Sequence, residues 1–204
     1  MANITKILKN FNLFVDGRGY AGAVESVQLP SVEVVNEMYR GGGMDGSIAL
    51  DMGISPMECQ FTLSSFDYSS LSTWGLGEGN LIPVVIRGAL EDVNGNTTAL
   101  YARMLGTIRS VTPSEFTPAG KATLAFVMDV REYVLSIDDD QVYDIDVLNN
   151  KRVVNGVDRN AGINSAIGNS QNTITSDIKN FGAGINSSIR TARNTVNDIK
   201  NLFG

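Results

Sequence analysis

Residues 81–111 read LIPVVIRGALEDVNGNTTALYARMLGTIRSV, and this stretch decides the class of fold. Two apolar-rich arms, 81–91 and 97–111, flank Val93-Asn94-Gly95-Asn96. Asn-Gly between such arms is the strongest short hairpin signal, because a tight turn needs residues that tolerate positive φ. A second hairpin follows, with arms 101–112 and 122–137 around a loop holding Pro113, Pro118 and Gly120. Arms of this length exceed the usual strand of about five or six residues. They suit a sheet that runs on from one subunit into the next better than a small closed sandwich.

Moving outward, the strand signal continues on both sides. Residues 24–29 alternate apolar and polar up to Pro30, residues 31–36 carry Val32, Val34 and Val35, and residues 47–52 alternate through Ile48, Leu50 and Met52. Residues 58–64 do the same through Cys59, Phe61 and Leu63. Period-two alternation bounded by Gly and Pro marks half-buried strands. One short helix is predicted over residues 67–76, where Phe66, Leu71 and Trp74 fall near helical spacing, Asp67 can cap the start, and Gly75 and Gly77 end it. Asp138-Asp139-Asp140 reads as a tight turn into a strand over 141–146.

Composition then narrows the function. The chain has 204 residues, 43% of them apolar, enough for one domain with an extension. No apolar run reaches the roughly 18 residues that span a bilayer. The first ten residues lack the apolar stretch of a secretory signal, which leads us to expect synthesis and retention in a cytoplasm. There is no histidine, which removes Ser-His-Asp and Cys-His nucleophiles and His-based zinc sites. The single cysteine, Cys59, excludes an internal disulfide framework and reads as a small buried hydrophobe. The net charge of −6 argues against a protein that coats DNA by neutralising phosphates.

Motifs that carry chemistry fail on inspection. Gly41-Gly42-Gly43 is not followed by Lys-Ser/Thr, and Gly75-Leu76-Gly77-Glu78-Gly79 lacks dinucleotide-loop spacing. Asp92-Val93-Asn94-Gly95-Asn96 begins like a calcium loop but has Thr97 where that loop needs Gly and Arg103 where it needs Glu. Glu91 and Asp92 are adjacent on a strand and point to opposite faces. We therefore expect no catalytic residue, cofactor or metal, and not an enzyme.

A boundary is expected near residue 160, dividing a β domain over 1–160 from an extension over 161–204. The first part holds 20 acidic and 12 basic side chains, the second two acidic and four basic. The extension is rich in Asn, Ser, Thr and Ile and contains an imperfect repeat: Gly162-Ile-Asn-Ser-Ala-Ile167 echoes Gly184-Ile-Asn-Ser-Ser-Ile189. Its apolar residues step by three and four from position 174 to 203, the pattern of an amphipathic helix with a narrow seam. Interior glycines, each costing about 1 kcal/mol against Ala, make that helix marginal without a partner for its seam. Its polar face lacks the Lys/Arg richness of membrane-surface helices, so stable membrane insertion is not expected.

Four stretches resemble the major tail tube protein family of contractile-tailed bacteriophages and phage-tail-like particles: Leu8-Lys-Asn-Phe-Asn-Leu-Phe-Val-Asp-Gly17; Glu37-Met-Tyr-Arg-Gly-Gly-Gly-Met-Asp-Gly46 with Ile48-Ala-Leu-Asp-Met-Gly53; Glu132-Tyr-Val-Leu-Ser-Ile137 through Val142-Tyr-Asp-Ile-Asp146; and Leu148-Asn149 with Val154-Asn-Gly-Val-Asp-Arg159. The resemblance spans roughly residues 8–160 and does not reach the extension. It implies a mainly β fold, a tail-tube sandwich or barrel with a short flanking helix. Six copies would form a ring whose sheets join into one barrel, and rings would stack into a tube inside a contractile sheath that conducts the genome into the host. The implied partners are other copies, sheath, baseplate and tail terminator proteins, a tape measure protein in the lumen, and DNA in passage only. The implied location is the virion tail, with assembly in the host cytoplasm. The alternative is the inner tube of a DNA-free injection particle, bacteriocin-like or a secretion system. The resemblance further implies that Arg40, Gly41, Gly42, Gly43, Met44 and Asp45 lie at contacts between subunits or rings. An acidic lumen that repels phosphate is a further expectation.

Overall fold

The computed structural model describes residues 5–64, 66, 71, 81–138 and 140–169. The helix expected over 67–76 falls outside these apart from Leu71, and so does the extension beyond 169. The chain divides into two units, Met1–Asp158 and Arg159–Gly204.

The first unit is built from strands β1 (Lys6–Val15), β2 (Arg18–Gly19), β3 (Val24–Gln28), β4 (Val34–Tyr39), β5 (Ile48–Ile54), β6 (Met57–Leu63), β7 (Ile82–Asp92), β8 (Thr97–Pro113), β9 (Leu124–Ile137), β10 (Asp140–Asp146), β11 (Lys151–Val154) and β12 (Val157–Asp158). Ten of them make one sheet, paired antiparallel throughout, and β4 and β5 make a separate ribbon.

The large sheet forks at β9. One edge of β9 pairs with β8 from Pro113↔Leu124 to Leu100↔Ile137. Its other edge is shared: Leu124 to Val130 pair with β6, and Glu132 to Ile137 pair with β10. Arg131 stands between the two partners, and its carbonyl accepts a hydrogen bond from the Val147 amide at 3.1 Å. Register shifts between β8 and β9 fall at Leu105/Gly106 and Ile108/Ser110, leaving Arg131 and Arg109 as extra residues. Such bulges bend a strand and increase its twist. Gly106 is required at the first, because a Cβ there would lie 2.0 Å from the Asp129 carbonyl oxygen.

Two halves result. One runs β12-β11-β10-β9-β8-β7-β1-β2, the other β8-β9-β6-β3. One core joins them, with Leu13, Val84, Met104, Tyr133 and Ile145 from the first half and Cys59, Phe61, Leu63, Phe126 and Met128 from the second. Strand β6 shows how the sequence dictates this. Its odd positions Met57, Cys59, Phe61 and Leu63 are buried, while Glu58, Gln60 and Thr62 face away. Phe61 stacks on Phe126 with ring centroids 5.1 Å apart. Cys59 is fully buried, and burial pushes its thiol up to about 12, so it packs as a hydrophobe.

The hairpin expected at Asn94-Gly95 forms. Gly95 takes φ +83°, and the Asp92 carboxylate accepts the Asn94 and Asn96 amides at 2.8 and 2.9 Å. These bonds, those from Asn96 above all, hold the Asp92 carboxyl below its ordinary value. The carboxylate is spent on the turn.

Three sequence expectations shift. The strand expected over 31–36 is Val34–Tyr39, because Val32 packs on the core and the Glu33 carbonyl is taken by the Ser55 amide before the ribbon begins. Strands β1, β11 and β12 were not individually expected, although β1 alternates through Phe11, Leu13 and Val15 and pairs with β7 from Val84 to Asp92. The length of β8 and β9 has a reason within the subunit: each serves both halves.

In the second unit, residues 159–160 turn into helix α1 (Ala161–Ala166). Gly168, at φ +74°, closes its C-terminus, with the Asn169 amide returning to the Asn164 carbonyl at 2.8 Å. No described helix is long and apolar enough to cross a membrane.

Candidate assembly surfaces

The β4–β5 ribbon is the least covered part of the described chain. Val34, Val35, Met38, Tyr39, Ile48, Leu50 and Met52 are all exposed. They occupy both faces: Tyr39 opposes Ile48 and Glu37 opposes Leu50 on one, while Met38 opposes Ala49 on the other. A lone two-stranded ribbon is marginal in water, and large apolar side chains on both faces mark a surface that a partner covers.

The six residues singled out from the sequence come together at the ribbon's tip. Arg40 donates from Nε to the Met44 carbonyl at 3.1 Å, the Met44 amide donates to the Gly41 carbonyl at 3.3 Å, and the Gly41 amide contacts Met44 Sδ at 3.2 Å. Gly43 adopts φ +83°, which a Cβ would strain. Gly42 and Asp45 project into open surroundings. The six residues do not include the flanks of the tip. Their signal was adjacent apolar pairs, Val34-Val35 and Met38-Tyr39, where a half-buried strand would alternate.

At the ribbon's base, Arg152 on β11 grips Asp51 through Nη2 at 2.7 Å and Nη1 at 3.2 Å. Asp51 also accepts the Gly53 amide at 2.9 Å, with Gly53 at φ +108° beside a register shift. The Arg152 bond, then the Gly53 bond, hold the Asp51 carboxyl below its ordinary value.

The second surface is a pair of sheet edges. The outer half ends in β2 and β12, each only two residues long, a common way of blunting an edge. The four-stranded half ends otherwise. β7 leaves β8 at Ile82↔Gly106, so the outer edge of residues 107–113 pairs with no described strand. β3 pairs only with β6 among the described strands.

The third surface is the face of this four-stranded half that points away from the core. Its register gives three rows: Gln28, Gln60, Val127 and Ser110; Ser26, Thr62, Ala125 and Thr112; and Glu58, Asp129 and Thr107. Small neutral side chains dominate. Arg109, the extra residue of the second bulge, joins the third row, donating to Asp129 at 2.8 Å and to Glu58 in a short contact. Gln60 donates to Glu58 at 2.7 Å. Among the described residues no three His, Cys, Asp or Glu side chains are grouped to hold a metal ion.

A family model described as phage tail tube protein FII matches residues 5–168. The tail tube protein of Escherichia phage P2 is 31% identical over 157 residues, covering 74% of this chain and 91% of that protein. The major tail tube protein of Serratia phage KSP20 is 30% identical over 154 residues, 72% of this chain and 85% of that protein. Two chains from an extracellular contractile injection system share the fold. The PVC sheath/tube terminator in the extended state superposes with TM-score 0.52 at 11% identity, covering 67% of this chain and 99% of that one. A chain of the PVC sheath–tube complex does so with TM-score 0.51 at 12% identity, covering 66% and 93%.

Proposed function

Since the chain belongs to the phage tail tube protein FII family, we propose that it is a structural subunit of a phage tail tube and assembles laterally through the open edges of β3 and β8. The observation that carries this reading is the pair of unblunted edges on the four-stranded half. Successive antiparallel pairings make β3 and β8 run in opposite directions, so the β3 of one copy beside the β8 of the next continues the ladder antiparallel. The contact is heterologous and closes when rotation brings the last copy to the first. Six copies make the ring, as in the family. The protein works by assembly and not by catalysis.

A hollow ring puts the bulk of each subunit outside the barrel. The core and outer half lie on one face of the four-stranded sheet, so the opposite face, with Gln60 and Asp129, lines the channel. The wall is less acidic than the composition suggested: Glu58 and Asp129 stand against Arg109.

Rings stack through the β4–β5 arm, whose tip at Arg40–Asp45 reaches the adjacent ring and whose apolar flanks are covered there. The tube lies in the virion tail inside a contractile sheath, after assembly in the host cytoplasm. Its further partners are sheath, baseplate and terminator proteins, a tape measure protein in the lumen, and DNA in passage. Residues 161–204 are an extension of a tube domain spanning 1–160.

Negative-stain microscopy of the purified protein tests the assembly: hollow rings or tubes support it, and a compact monomer at high concentration overturns it. Gly42→Val with Gly43→Val should leave the subunit folded and stop stacking, and long normal tubes from that variant would refute the role of the tip. The DNA-free particle uses the same assembly, and DNA packaged in the source particle separates the two.

A further inference from the structure

The channel-facing rows contain one concentration of charge, and its arrangement is not that of a simple acidic wall. Glu58 and Asp129 sit directly opposite each other on β6 and β9. Like charges so placed destabilise a sheet. Arg109 is supplied by the bulge in β8, where the Ile108/Ser110 register shift frees one residue from the ladder. Its two Nη atoms divide between the carboxylates, Nη1 to Asp129 and Nη2 to Glu58. All three side chains are at least one-third exposed, so the cluster is a surface feature and not part of the core.

We propose that Glu58 and Asp129 mask Arg109, so that its guanidinium on the channel wall is withheld from the phosphates of passing nucleic acid. The inference rests on the channel reading above. Arginine is the side chain best matched to phosphate, which it binds through two parallel N–H bonds. A ring repeats the residue in every subunit, and stacked rings repeat it along the tube. Unmasked, it would be a ladder of phosphate sites along the path of a polyanion, and affinity multiplies when several phosphates are held at once. With both forks of the guanidinium engaged, the cluster presents a net charge of −1 per subunit. The neighbouring Gln, Ser and Thr side chains offer phosphate only weak neutral bonds. The hydrogen bond from Gln60 and that from Arg109 hold the Glu58 carboxyl below its ordinary value, and Glu58 and Asp129 raise that of Arg109.

The test uses assembled tubes. Glu58→Gln with Asp129→Asn removes the mask and keeps the shape of the wall. Tubes of this variant, incubated with a fluorescent DNA duplex and sedimented, should retain roughly tenfold more DNA than wild type at low salt. The excess should fall steeply as salt rises, the mark of phosphate contacts. Adding Arg109→Gln to the same tubes should return retention to the wild-type level. Equal retention by wild type and double variant overturns the proposal, and so does an excess that survives loss of Arg109. If the double variant fails to assemble, Asp129→Asn alone frees Nη1 and should give a smaller, salt-sensitive excess; no excess overturns the proposal. A separate arm tests the channel reading. Biotin-maleimide is attached to Gln60→Cys subunits before assembly, the native Cys59 being buried. Tubes that bind no streptavidin along their length keep that face inside. Streptavidin decorating the outer surface overturns the channel reading itself, independently of the retention result.

Discussion

Strands β4 and β6 are similar in length and apolar content, yet they meet opposite fates. In β6 every second residue is buried and the remainder form a polar face. In β4 all six residues are exposed, and its apolar side chains fall on both sides of the ribbon. The difference lies in order, not amount. MECQFTL keeps its apolar groups on one side, so one layer of core satisfies them, whereas VVNEMY places Val34 and Val35, then Met38 and Tyr39, on opposite sides. No single packing partner within the subunit can cover both. The core half is finished in one chain; in the proposed assembly the arm is finished by the next ring.

This comparison can be broken most forcefully in the core. Phe61→Ala removes a stacked ring from the centre and should cost about 4 kcal/mol, read as a lower denaturant midpoint of the monomer. Gly106→Ala drives a methyl into the Asp129 carbonyl at the bend and should cost about 2–3 kcal/mol by the same measurement. Both variants should lose tubes only because they lose subunits. The arm should behave in the reverse way. Met38→Ser with Leu50→Ser should move subunit stability by no more than about 0.5 kcal/mol. Yet sedimentation should find monomers or single rings where wild type gives tubes. A midpoint shift as large as that of Phe61→Ala would mean that the arm is packed within its own subunit.

The smallest expected effect concerns how the arm is held. Asp51 has a folded value below its ordinary 3.8, so the contribution of its pair with Arg152 is present above that value. It is lost as pH falls through the lowered folded value. Corrected for the intrinsic chemical rate, the protection of the β4–β5 amides from hydrogen exchange should therefore fall on acidification below about pH 4 in wild type. In Asp51→Asn it should be lower at neutral pH and lose that acid step. An unchanged profile would show that the arm's position does not depend on this pair.

The sequence made much of this architecture legible, for reasons that differ by region. The Asn94-Gly95 turn was readable because its chemistry is local: Asp92, Asn94 and Asn96 satisfy one another within five residues. The alternation of β6 was readable because one of its faces is buried. The fork at Arg131 was not read, although burial in β9 falls on the even residues from Leu124 to Val130 and then slips phase to Tyr133. Strand β11 was hidden because its pairing to β10 spans only Tyr143↔Val154 to Asp146↔Lys151. At the tip, the resemblance singled out Arg40–Asp45, and the structure brings these six residues together in one turn. The Arg109 cluster was invisible, because Glu58, Arg109 and Asp129 lie far apart in sequence and meet only through two ladders and a bulge.

Strands β8 and β9 each run unbroken from the outer half into the four-stranded half, which the proposed assembly turns toward the channel. A pull or twist applied at the outer surface is therefore carried to the wall along covalent backbone, with no interface to slip. Rows of hydrogen bonds yield readily when peeled one at a time, whereas a continuous strand transmits tension along its length. The wall and the outer skin of the subunit are in this sense one mechanical member. A load from outside should turn or translate the subunit as a rigid body and leave the bore of the channel unchanged.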